Sequence, residues 1–220
     1  MGQQNIMPHN KRKPMQVVLF NGPPKSGKDT IADALVQAVG PTWAVNYKLS
    51  SVLKATARVM FSLSDTQYNA VERPENKDTK VYYLAGRSWR EVLISLSEGY
   101  IKPTYGEGFF GLATAKALNT FSSSGYSHVF ISDSGFKEEA ETLVTMCPTC
   151  NFTLVRLHRA GTDFSNDSRS YWPNQKHVET HPYTLMREVS IMNEGTVDQA
   201  VRDILSRLER MQWTPITRSS

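Results

Sequence analysis

Residues 15–30 read MQVVLFNGPPKSGKDT, an unbroken apolar run that stops at Asn21-Gly22 and gives way to Lys25, Ser26, Gly27, Lys28, Asp29 and Thr30. A run without polar alternation is what a strand buried on both faces requires, and Asn-Gly ends it in a turn. From Gly27 the apolar positions change spacing: Ile31, Ala34, Leu35 and Ala38 recur at helical intervals until Gly40-Pro41 closes the segment. In this context Gly22-x4-Gly27-Lys28 is the pattern of a phosphate-binding loop. Its glycines let backbone N–H groups curl toward phosphate oxygens, and the helix that begins there adds its positive end. The expected nucleotide contacts are Gly22, Pro23, Pro24, Lys25, Ser26, Gly27, Lys28, Asp29 and Thr30, with Lys28 bridging the outer phosphates. Such loops place a serine or threonine after the lysine, and here an aspartate stands there. Asp29 reads as a ligand of magnesium or its water shell, or as a general base for an acceptor hydroxyl; Thr30 keeps a hydroxyl near the metal and phosphates.

Outward from this loop the pattern repeats. Residues 43–48, 129–133, 152–157 and 188–193 read as further strands, and residues 50–61, 137–146 and 196–211 carry helical spacing. Ser88-Trp-Arg-Glu91 has capping-box spacing and starts another helix. The fold class expected is α/β, three layers with a mainly parallel sheet and helices on both faces. Residues 64–87 are polar and punctuated, as in an insertion or a mobile surface segment, and IKPTYGEGFFG resembles neither helix nor strand. Residues 1–14 read as a flexible arm, residues 15–220 as one domain, and the last residues, ITRSS, as a frayed end.

Composition bounds the rest. With 220 residues, 40% hydrophobic and 21% charged, the chain is globular, and no apolar run approaches the roughly 20 residues of a membrane span. Lys11-Arg12-Lys13 precedes no signal-like block, so a cytoplasmic location without membrane association is expected. A net charge of +4 permits a polyanionic partner without requiring one. The only cysteines, Cys147 and Cys150, read as free thiols of a reducing compartment rather than half a zinc site or a redox pair. His158, His177 and His181 fit no metal-binding spacing. Nothing in the composition speaks to oligomeric state.

A phosphate loop also needs a carboxylate at the end of a neighbouring strand to hold magnesium, and Asp133 is the candidate; capping the helix that follows is its structural alternative. Kinases add a lid of arginines over the transferred phosphate. Arg156, Arg159 and Arg169 in and after the run at 152–157 suit that task, because forked guanidinium donors match phosphate oxygens and stay charged. Residues 88–120 then form the substrate side and residues 158–182 the lid, completing a P-loop kinase layout. Met192-Asn-Glu-Gly-Thr196 stands either where an adenine passes or at a simple strand-to-helix turn.

The run SGKDT followed by Ile31-Ala-Asp33 resembles the P-loop of bacteriophage deoxynucleoside monophosphate kinases. Those enzymes place an arginine shortly after the second-strand aspartate, whereas this chain reads Asp133-Ser-Gly-Phe136. The combination of GPPKSGKDT, REVLISLSEGYIKPTYGEGFFG, SDSGFKEE and RAGTDFSNDSRSY, spread over residues 16–200, is similar to the phage 5-hydroxymethyluracil DNA kinases. That resemblance implies ATP and Mg2+ as cofactors, metal near Asp29 or Asp133, and DNA containing 5-hydroxymethyluracil as partner in an infected bacterial host. It also implies a substrate surface using Arg90, Glu98, Lys102 and Tyr105. Lys102, Tyr105, Phe109 and Phe110 interleave a cation with aromatics, as in proteins that stack an unpaired base, although an irregular packing loop has the same composition. The alternatives are phosphorylation of a free deoxynucleoside monophosphate, or a nucleotide- or DNA-binding protein without turnover.

Overall fold

The computed structural model describes residues 13–165, 169–172 and 186–211. Five strands form one parallel sheet: β1 (Gln16–Asn21), β2 (Ala44–Tyr47), β3 (His128–Ile131), β4 (Asn151–His158) and β5 (Met186–Met192), in the order β2-β3-β1-β4-β5. All six residues of β1 are buried, which is why its sequence lacks alternation and why it takes the centre. The chain leaves β1 toward β2 on one side, and β4 and β5 extend the sheet on the other. The carboxyl end of β1 is therefore the switch point at which open α/β sheets bind ligands.

Period-two alternation sorts the strand residues onto two faces. Val18, Phe20, Phe130, Val155, Leu157, Val189 and Ile191 meet Ile31, Ala32 and Leu35 of α1 (Lys28–Val39) and Ile204 and Leu208 of α8 (Val197–Arg210). Val17, Leu19, Val129, Ile131, Phe152 and Leu154 meet Ala115 and Leu118 of α6 (Phe109–Ser123) and Ala140, Leu143 and Val144 of α7 (Lys137–Met146). Each such burial contributes roughly 1.5–3 kcal/mol, so packing on the sheet, more than helix propensity, holds both outer layers. This is the three-layer arrangement that the sequence predicts.

Between β2 and α6 the helices expected at 50–61 and from Ser88 are present, and the chain around them departs from expectation. It contains α2 (Ser51–Met60), α3 (Asp65–Glu72), 3₁₀ turns at Pro74–Asn76 and Tyr82–Leu84, α4 (Trp89–Leu96), a π-helical turn Ser97–Ile101 and α5 (Lys102–Tyr105). Residues 64–87, expected as an insertion or a mobile surface segment, carry α3 and the two 3₁₀ turns. Leu63, Val71 and Leu84 pack with Ala57, Trp89 and Val92 in a core separate from the sheet, and Ser64 and Ser88 each close a full capping box. Nor is IKPTYGEGFFG wholly irregular: the π turn and α5 carry it as helix to Tyr105, and α6 starts at Phe109. Gly111 reads as a helix breaker, but it lets α6 touch α7, since a Cβ there would lie 1.9 Å from the Glu139 carbonyl oxygen.

Among the described residues no helix is long and apolar enough to cross a membrane. Cys147 and Cys150 are free, and among the described residues no group of three or more His, Cys, Asp or Glu is placed to hold a metal. The His158 ring packs on Tyr171, with centroids 4.7 Å apart. His177, His181, the arm at 1–12, the end at 216–220 and lid positions 166–168 and 173–182 lie outside the described residues.

Candidate nucleotide-binding site

The loop between β1 and α1 is shaped by backbone that only some residues adopt. Lys25 and Gly27 have φ of 64° and 95°, the left-handed positions from which anion-binding nests are built. Gly22 is needed for a second reason: a Cβ there would meet the Leu157 carbonyl oxygen of β4 at 2.5 Å. Lys28 Nζ donates to the carbonyls of Gly22 and Pro23 at 2.7 and 2.6 Å, and so lies across the loop mouth.

Contacts from the other strand ends fix this shape. Asn193, just after β5, donates from Nδ2 to the Ser26 carbonyl at 2.8 Å. A Cβ on Gly27 would meet that same nitrogen at 2.7 Å. Beyond β3, Ser134 Oγ donates to the Phe20 carbonyl at 2.8 Å, and Ser132 Oγ donates to Asp29 Oδ1 at 2.6 Å. Beyond β2, Lys48 Nζ reaches the same oxygen at 2.9 Å. Burial pushes the Asp29 carboxyl up, but the Ser132 hydroxyl and the Lys48 ammonium outweigh it and hold the group below the usual carboxylate range. Asp29 is therefore an ionised, largely exposed carboxylate at the start of α1, with Thr30 exposed beside it. A hard divalent cation favours such oxygen donors, so Asp29 fits magnesium.

Asp133 lies just beyond β3, at the strand end expected of it, and bonds to the chain that follows β2. Its Oδ1 accepts from Leu49 N at 2.8 Å, and its Oδ2 from Ser50 N at 3.1 Å and Ser50 Oγ at 2.7 Å. It caps the entry to α2, with both oxygens committed to protein donors. Arg156 likewise points inward from β4, is 4% exposed, and donates to Glu188 and to the Trp172 carbonyl. It is a strut between β4, β5 and the segment 169–172, rather than a lid arginine, because its place in the strand alternation aims it into the sheet layer.

Arg159 is exposed just beyond β4, and the Arg169 stem lies flat over Gly135, where a Cβ would sit 2.0 Å from Cδ. Trp172 anchors that segment, with its N donating to Asn21 Oδ1 and its Nε1 to the Gly135 carbonyl. Residues 169–172 thus lie at the sheet's carboxyl edge beside the β3–α7 turn.

The four expected substrate residues divide. Glu98, Lys102 and Tyr105 come together, while Arg90 pairs with Asp78 at 2.7 Å elsewhere on the helical cap. Lys102 is 4% exposed, lies 3.9 Å from the Phe136 ring centroid and pairs with Glu98 at 2.9 Å. It serves as a buried tie, unavailable as a surface cation. Glu139, near it on α7, has its carboxyl pushed up to about 8 by burial, against the pull of Lys102. Tyr105 is exposed and stacks with Tyr100 and Phe109 in a short aromatic strip.

Sequence reasoning missed the cavity beside Asp29. It holds about 420 Å³ and is lined by Asn46, Lys48, Ser51, Lys54, Ala55, Arg58, Tyr68 and Glu72. Lys77 is close enough for its ammonium, already disfavoured by burial, to be disfavoured further by Lys54 and Lys48. Lysines at the end of β2 and along α2 were the available signal. They read as ordinary solvated positions until the fold gathers them around one space.

The strand order, the nest at the switch point and the lysine across it define the three-layer fold of P-loop kinases. Solved structures share the arrangement in outline. A sugar kinase from Janibacter sp. HTCC2649 has 14% identity and a TM-score of 0.46, covering 89% of this chain and 95% of its own. A gluconokinase from Sinorhizobium meliloti 1021 has 16% identity and a TM-score of 0.44, covering 91% and 95%. A thymidylate kinase from Candida albicans has 14% identity and a TM-score of 0.42, covering 90% and 93%. Likeness of this degree assigns no activity, and the fold rests on the chain's own topology. No protein-family profile and no curated protein matches the chain.

Proposed function

We propose that the protein is an ATP- and Mg2+-dependent phosphotransferase that phosphorylates the hydroxymethyl group of 5-hydroxymethyluracil in DNA. The observation that carries the phosphotransferase reading is the nest at Lys25 and Gly27, held by Asn193 and faced by Lys28, with a cation-lined cavity beside Asp29. The nest and the amino end of α1 bind the phosphates of ATP. Lys28 exchanges its loop carbonyls for phosphate oxygens and stabilises charge on the phosphoryl in flight, while Arg159 and Arg169 close from the lid side. Asp29, with Thr30 beside it, would hold magnesium, which would supply positive charge to offset that of the phosphates. The acceptor hydroxyl attacks the terminal phosphorus, the bond to ADP breaks, and the hydroxyl proton leaves to solvent or to a carboxylate. Catalysis is chiefly positioning.

The sequence resemblance supports DNA as acceptor, and the exposed Tyr100–Tyr105 strip supports an unstacked base. The volume and the lysines and arginine of the cavity favour a second reading, a free deoxynucleoside monophosphate. Labelled ATP incubated with hydroxymethyluracil-containing DNA, with unmodified DNA and with each deoxynucleoside monophosphate separates them. Label is expected in the modified DNA alone. Label confined to mononucleotides overturns the DNA reading, and label in no pool leaves a nucleotide- or DNA-binding protein without turnover.

A further inference from the structure

Asp29 Oδ1 accepts from two side chains at once, Ser132 Oγ at 2.6 Å and Lys48 Nζ at 2.9 Å. Lys48 belongs equally to the cavity, which it lines with Lys54 and Arg58, and its side chain is 35% exposed, so the ammonium has room to turn. Asn46 stands two residues earlier on the same face of the chain leaving β2. Its Nδ2 donates to Asp33 Oδ1 at 2.7 Å. Its Oδ1 is buried without a hydrogen-bond partner, which is costly and rare in a folded protein.

A divalent cation on Asp29 and an ammonium on the same carboxylate repel each other. We propose that Lys48 is an acceptor-binding residue held by Asp29 until metal–nucleotide binds, whereupon its ammonium leaves Asp29 and, with Lys54 and Arg58, which now pair with Glu72 and Asp65, takes an anionic phosphate oxygen of the acceptor. This rests on the reading of the loop as a metal–nucleotide site, with Asp29 as metal ligand. Metal–nucleotide and acceptor then strengthen each other's binding, and linkage makes the effect equal in both directions.

The test needs no turnover. Mn2+ binding with a non-hydrolysable ATP analogue is followed by electron spin resonance, and thymidine monophosphate binding by calorimetry, for the wild type, Lys48→Met and Lys48→Arg. Lys48→Met is expected to bind Mn2+ with the analogue about two- to fivefold more tightly, the worth of a half-exposed ion pair. It should bind thymidine monophosphate about tenfold more weakly and lose the mutual strengthening that the wild type shows. Lys48→Arg should keep that strengthening. Unchanged or weaker Mn2+ binding in Lys48→Met, with its circular dichroism intact, overturns the exchange while leaving the phosphate-loop reading in place. A wild type that binds no analogue overturns that reading, and the exchange with it.

Discussion

The phosphate edge of the sheet and the helical cap over residues 51–105 are built on different principles. At the edge, the groups that matter are backbone N–H donors, and contacts from the other strands hold them: Asn193 on Ser26, Ser134 on Phe20, Leu157 against Gly22 and Lys48 on Asp29. The cap has its own small core around Trp89 and polar pairs such as Lys54–Glu72 at 2.5 Å. Phosphate recognition by backbone tolerates little change, so the edge spends its long-range contacts on rigidity. Cap residues need only bury apolar area, which leaves their outward side chains free to suit an acceptor.

That division can be broken most severely at Trp89. It is fully buried and its Nε1 donates to Glu72, so Trp89→Ala should cost about 3–5 kcal/mol in urea unfolding. Analogue affinity under folding conditions should stay within about twofold of wild type; an equal fall in both would mean that the regions are not separable. Lys28→Ala probes the opposite side. Turnover should drop about 10²–10³-fold, the usual loss when a donor to transition-state charge is removed, with melting little changed; unchanged turnover would remove Lys28 from the chemistry.

Smaller effects sharpen the picture. Asn193→Ala leaves the Ser26 carbonyl unpaired, at a cost of about 1–3 kcal/mol, and analogue affinity should weaken about tenfold; lost stability with full affinity would show that the loop holds its own shape. Glu139→Gln tests the junction of the two regions. Burial pushes that carboxyl up from 4.5 to about 8, so the folded chain keeps a proton that the unfolded chain has released, and stability falls as pH rises through this window. Glu139→Gln lacks that titration. Its melting temperature should therefore gain on the wild type between pH 5 and pH 8.5, by the equivalent of about 1 kcal/mol or more; parallel curves would refute it.

The edge was largely legible in the sequence because its demands are local. A strand, two glycines and a lysine lie within thirteen consecutive positions, and all five strands of the described sheet lie at or within a few residues of their apolar runs. What escaped depends on distant partners. Asp133 ends a strand as a metal ligand would, yet its oxygens are taken by Leu49 and Ser50, some eighty residues away in sequence. Arg156 sits in the run FTLVRLH, whose alternation aims it inward, a signal outweighed by the arginines that follow. The cap hid for a different reason: α3 is short and polar, and α6 carries a glycine whose purpose is visible only beside α7. Lys48 showed no pattern at all, because what matters is the carboxylate and the cavity it meets.

The glycine contacts between α6 and α7 have a mechanical meaning. Gly108 would bring a Cβ to 2.1 Å from Thr142 Oγ1, and Gly111 to 1.9 Å from the Glu139 carbonyl. Two helices in backbone contact at successive turns cannot slide without a clash, so α6 is a pillar fixed to the sheet. The walls that α2 and α3 give to the cavity carry no glycine contact of this kind; α2 is held instead by Leu53 and Ala57 in two small cores.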